Sequence, residues 1–161
     1  MSNSYEYFNT LTLVFYLMVG MPLIFFVLIY LQYEEVGGLK PTESIMWLPH
    51  IVLPVGVLIC LYFAYSLYAK QLRQRQASAF REKLRAFHEA SLYKYGLLSL
   101  ANFLAIIGMY FMGEQIFAGL YAIALVVFSL NRPTHHRITK DMQLSKEEQQ
   151  WLRSDKNFDE L

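Results

Sequence analysis

One cysteine, Cys60, is the whole thiol inventory of the 161-residue chain. A lone cysteine excludes an internal disulfide and every CxxC redox or zinc arrangement, and its place inside an apolar run makes it a small packing group. Charge is missing over long stretches: no Asp, Glu, Lys or Arg falls within Leu11–Leu31, Ile45–Ala69, Tyr95–Gly113 or Gln115–Asn131. The chain also lacks an HExxH pair, a Gly-rich phosphate loop and a Gly-x-Ser-x-Gly elbow, so zinc-peptidase, nucleotide and serine-hydrolase chemistries have no residues to rest on. The leading stretch, MSNSYEYFNT, has no positive charge and no A-x-A site follows the first apolar run, which is therefore expected to be a retained span.

What is present is apolar surface, 55% hydrophobic and 16% aromatic residues, more than a soluble domain of this length carries. Each charge-free run approaches the roughly 20 residues that a helix needs to cross about 30 Å of hydrocarbon. Lipid offers the backbone no hydrogen-bond partners, so such runs are expected as helices. The expected fold class is an all-α integral membrane protein: a four-span transmembrane helix bundle of two helical hairpins, with spans at about 11–31, 46–69, 93–112 and 114–131. Residues 70–92 are expected as a cytoplasmic helical linker and 132–161 as a cytoplasmic tail with a short helix.

Pro49 falls near a helix start, where its missing N–H is harmless, and Pro54 falls inside, where it bends a helix. Gly56, Cys60 and Ala64, then Ala101 and Ala105, then Ala118 and Ala122 recur at four-residue spacing. Such rows let helices approach closely and mark seams of a bundle or of an oligomer. Tyr30, Tyr33, Trp47, Tyr110 and Phe111 are expected in one headgroup belt, and Tyr65, Tyr68, Tyr93 and Tyr95 in the other.

The formal net charge of +1 gives no case for a nucleic-acid partner, but the bases are unevenly placed. In a four-span arrangement every Lys and Arg except Lys40 falls on one face. The positive-inside rule makes that face cytoplasmic, with both termini on it, and suggests the plasma (inner) membrane of a prokaryote. The run GMYFMGEQIFAG decides the span count. Residues 97–130 as one helix would be about 51 Å long, well beyond the hydrocarbon thickness. A hairpin turn at Gly113 and Glu114 is expected instead, with Gly113 in a left-handed cap and Glu114 at the start of the next helix.

Candidate functional residues are few. The segment 70–94 carries seven Lys and Arg against Glu82 and Glu89, and Phe80, Leu84 and Phe87 share one helical face. Arg73, Arg75, Arg81, Lys83 and Arg85 are expected to contact anionic inner-leaflet lipids or a protein partner, with Trp151 as a second contact. Ser145 followed by Glu148 is a capping-box signature that predicts a short helix through about Arg153, able to dock on membrane, linker or partner. Asn102 and Ser99 are expected as polar packing groups or as part of a polar path.

His50 and the set His88, His135 and His136 fall at opposite ends, which excludes a bis-His haem within the bundle. Adjacent His135 and His136 point apart and have no further ligand at a metal-binding spacing. No cofactor, metal site or catalytic residue is expected. Small four-span multidrug exporters are similar in length and span number, but that family works through a membrane-embedded Glu in its first helix. Here the first acids after that run are Glu34 and Glu35. The expected function is a non-catalytic subunit, assembly factor or scaffold of a membrane complex, with a protein partner or a homo-oligomer. The alternatives are a small oligomeric transporter or channel using Asn102 and Ser99, and an interfacial lipid-modifying enzyme using its histidines.

Overall fold

The computed structural model describes residues 4–36, 47–75 and 80–153. Among them every regular element is a helix: α1 Ser4–Val36, α2 Trp47–Arg75, α3 Phe80–Met112, α4 Gln115–Ser129, α5 His135–Asp141 and α6 Lys146–Arg153. Three helices are long and apolar enough to cross a membrane, over Tyr7–Gln32, Pro49–Gln74 and Glu82–Met112. The apolar α4 has 15 residues and a length of about 22 Å, less than the hydrocarbon thickness.

The expected linker is not an element of its own. Its first part continues α2 to Arg75, and its second part opens α3 at Phe80. Burial explains the continuity, because Leu84 and Phe87 are buried in the main core and Phe80 packs against it. At 33 residues α3 is about 50 Å long, so its basic first turns extend past any hydrocarbon slab that its later turns cross. Pro22 and Pro54 both sit inside their helices.

Between α3 and α4 the chain reverses within two residues. Gly113 takes φ 65° and its N–H donates to the Met109 carbonyl at 2.9 Å. Only a residue without a Cβ adopts that left-handed conformation at little cost. Five residues earlier, Gly108 lies directly against the Phe117 ring, where a Cβ would overlap it. A glycine on one helix and a phenylalanine on the next thus close the hairpin.

The long α3 is the hub, packing against α1, α2 and α4, while α1 touches α4 only lightly. Two core clusters run along it. At the end that carries the bases, Tyr7, Leu11 and Phe15 of α1 meet Ala64 and Leu72 of α2, Leu84, Phe87, Tyr95 and Leu98 of α3, and Phe128 of α4. Phe15 bridges Tyr95 and Phe128 edge-on, with ring centroids 5.3 and 5.4 Å away. Toward the hairpin, Val57 and Cys60 pack on Ala101 and Ala105, with Tyr121 stacked flat on Phe26 at 4.1 Å.

The small-residue rows of α2 and α3 therefore form one internal seam, with Leu104 3.3 Å from where a Gly56 Cβ would stand. In α4 the row is different: Ala122 is exposed, and Phe117, Tyr121, Ala124 and Phe128 are the buried face. Tyr95, expected in a headgroup belt, is a core residue at 3% exposure because it faces Phe15 and Phe128.

Candidate functional site: a polar knot at the basic end

Beyond α4 the sequence Asn131-Arg132-Pro133-Thr134 stops one helix and starts another. Thr134 is the N-cap of α5, its hydroxyl accepting from the Arg137 backbone N–H at 3.4 Å. Pro133, just before the cap, cannot continue a helix from α4. The turn lays α5 across the ends of α2, α3 and α4, burying Ile138, Met142 and Leu144 in the main core.

Polar side chains fasten that packing. Arg137 donates through Nη1 to the Leu130 carbonyl and through Nη2 to Asn131 Oδ1, both at 2.8 Å. Asn131, 3% exposed, donates in turn to the Tyr65 hydroxyl and the Val127 carbonyl, both at 2.6 Å, and its own carbonyl accepts from the Tyr95 hydroxyl at 3.2 Å. The Tyr68 hydroxyl donates to Asp141 Oδ2 at 2.6 Å, and Arg137 Nε stands 3.8 Å from the same oxygen. Between the two tyrosines lies Lys94, 3% exposed, its Nζ 4.5 Å from the Tyr65 ring centroid and 4.0 Å from that of Tyr68. An ammonium over two aromatic faces is held by the ring quadrupoles, a stronger attraction where water is excluded. Every charge named here is matched to a carboxylate, a carbonyl or a ring, which suits holding helices together.

The tail continues the clamp. Ser145 and Glu148 cap α6 reciprocally: the Ser145 N–H donates to Glu148 Oε2 at 2.7 Å and the Glu148 N–H to Ser145 Oγ at 3.2 Å. Lys83 of α3 donates to Glu148 Oε1 at 3.0 Å, so α6 is docked on the basic start of α3. Burial alone would raise the Glu148 carboxyl, but the bonds from Ser145 and Lys83 outweigh it and hold the group below the ordinary glutamate range.

Of the residues singled out by sequence, Arg73 and Arg85 are exposed, and Lys83 is partly buried by its ion pair with the tail. The side chains of Arg75, Arg81 and Trp151 lie outside the described residues. Asn102 is buried in α3, where Nδ2 donates to its own Leu98 carbonyl at 2.8 Å while Oδ1 has no partner. Ser99, three positions earlier on the same helix, is partly buried. At the hairpin, Glu114 occupies the N-cap of α4 yet makes no side-chain cap bond. Its carboxylate is drawn instead to His50 Nε2 of α2 at 2.7 Å, because the reversal brings the start of α2 alongside the turn.

Sequence reasoning missed the knot itself. Lys94 counted only as one base among seven, Arg137 only as a base of the tail, and Asp141 only as a metal ligand too poorly spaced for His135 and His136, because all of them sit far from Tyr65 and Tyr68 in the chain. Among the described residues no group of three His, Cys, Asp or Glu is placed to hold a metal ion. Fold and site together define a class: an all-helical chain with three helices long and apolar enough to cross a membrane, and a C-terminal segment clamped onto one end. No protein-family model, curated protein or solved structure matches the chain.

Proposed function

We propose that the protein is a non-catalytic component of a membrane assembly, a subunit, assembly factor or scaffold, in the plasma membrane of a prokaryote. The observation that carries this reading is the clamp: Lys94, Asn131, Arg137 and Asp141 spend their bonding capacity fixing α5 to the helices, which gives the bundle a preorganised cytoplasmic face. A rigid surface binds a partner without the entropy of ordering it first.

Four spans with both termini cytoplasmic fit the same contacts. Tyr7 near the start of α1 donates to the Leu84 carbonyl at the basic end of α3. The chain after α4 meets Tyr65 and Tyr95 there too, whereas the start of α2 meets the hairpin through His50. These contacts support an up-down-up-down course in which α4 serves as a short fourth span beside longer neighbours.

Extraction of the protein at native abundance in mild detergent, with cross-linking and mass determination, is expected to yield a complex of fixed stoichiometry. Recovery solely as a free monomer in every mild extraction would overturn the reading. A transporter or channel is the second reading, favoured by the unpaired Asn102 Oδ1 within the bundle. Flux in liposomes above background that is abolished by Asn102→Leu would put that reading in first place. For a lipid-modifying enzyme, lipid turnover by the purified protein would have to fall on replacing His88, His135 and His136 with Ala.

A further inference from the structure

The face of α3 turned away from its partner helices carries an apolar hollow of about 550 Å3, lined by Glu89, Leu92, Tyr93, Gly96, Leu97 and Leu100. Its middle is open because position 96 is glycine: nothing stands within 4 Å of where a Cβ would be. Tyr93, 63% exposed, lines it with an amphipathic ring of the kind that settles between hydrocarbon and headgroups. Only one lining residue is charged, the exposed Glu89, below Tyr93 on the helix. One turn further down, exposed Arg85 falls on the same face by its i, i+4 spacing. Among the described residues no hydrogen bond or ion pair engages the Glu89 carboxylate or the Arg85 guanidinium.

We propose that this hollow is a binding site for a phospholipid with a primary-amine headgroup, of the phosphatidylethanolamine kind. The geometry is that of a two-part receptor. From Glu89 to Leu100 the hollow follows α3 for about 16 Å, room for a length of acyl chain lying over Gly96. At its lower mouth an acid and a base in sequence match the ammonium and phosphate of one zwitterionic headgroup. The ammonium donates charge-assisted hydrogen bonds to Glu89, and the phosphate accepts from Arg85. A purely anionic headgroup sets its charge against Glu89, and a quaternary choline has no N–H to donate. The site thus runs opposite in preference to the surrounding basic face, which draws anionic lipid.

The experiment uses the full chain in vesicles of phosphatidylethanolamine and phosphatidylglycerol, equal in amount and in acyl chains, extracted in mild detergent and weighed by native mass spectrometry. Wild type is expected to retain the amine lipid roughly fivefold over the glycerol lipid, a ratio worth about 1 kcal/mol. Glu89→Gln is expected to bring the ratio close to one with lipid still bound. Gly96→Leu, which fills the hollow, is expected to reduce retention of both lipids. Glu82→Gln, exposed on the same helix but not lining the hollow, keeps the wild-type ratio and controls for net charge. Circular dichroism of each variant shows that the helices persist.

Retention that mirrors the vesicle composition in wild type would overturn the proposal, as would a preference that survives Glu89→Gln. A dimer carrying no lipid would equally overturn it, by giving the face to a second copy.

Discussion

Asp141 and Tyr68 are 73 positions apart in sequence and 2.6 Å apart in space, and that contact is one of those that hold α5 on the bundle. Within the knot, Lys94 and Arg137 both stand close enough to Asp141 to feel its charge. Tyr68→Phe removes a hydrogen bond to a charged group and is expected to lower stability by about 1.5–3 kcal/mol. Asp141→Asn leaves both cations without their acid. Its expected loss is about 2 kcal/mol, between the values for exposed and fully buried pairs, since Asp141 keeps some exposure. Thermal unfolding in detergent checks both, with the exposed Tyr62→Phe as an unaffected control on the same helix.

Glu148 adds a pH dependence whose sign follows from its bonds. Its carboxyl is held below the ordinary range in the folded chain, so its contribution is full above the unfolded value near pH 4 and is lost as pH falls through the lower folded value. Protection of α6 amides against hydrogen exchange, corrected for intrinsic rate, is expected to drop over that acid window. In Glu148→Gln it is expected to be weak at neutral pH already, with that step absent.

At the scale of elements, the α3–α4 hairpin rests on what two glycines lack. Gly108→Ala forces its methyl into the Phe117 ring, an overpacking expected to cost about 1–3 kcal/mol. Phe117→Leu should relieve part of that cost, so the double variant is expected to be more stable than the sum of the two single effects. Unfolding of the four proteins in one detergent gives the coupling directly.

This hairpin was also the most legible element in the sequence. Helix lengths against hydrocarbon thickness required a break near residue 113, and a glycine stood there to make it. Seams of small residues in α2 and α3 were legible for the same reason, since spacing along a helix fixes a face. The clamp was not legible, because its parts come from three separated stretches and each has an ordinary local explanation. Lys94 looks like a topogenic base, Tyr68 like a belt residue and Thr134 like a simple cap. Glu114 shows the limit from the other side: its helix-start position was readable, but its partner His50 depends on how α2 lies beside the turn.

For the whole molecule the open choice is whether α4 returns through the bilayer, and the contacts at its two ends give the choice physical content. One end begins beside His50 and the other finishes among Tyr65, Tyr95 and Arg137. A helix of 15 residues covers about 22 Å, so a return through the bilayer requires local thinning or polar groups admitted at the ends of α4. Exposed Glu114 and half-buried His50 at one end and the knot at the other supply those polar groups. With Cys60 replaced by Ala, a Glu114→Cys variant is therefore expected to react with an impermeant thiol reagent added outside intact cells. Arg85→Cys in the same background is expected to react only after the membrane is opened, because it is exposed at the opposite, basic end of α3. Labelling of both from the same side would mean that α3 does not cross. Protection of Glu114→Cys from both sides would mean that the turn is buried, and would return its carboxylate to consideration as a group inside the membrane.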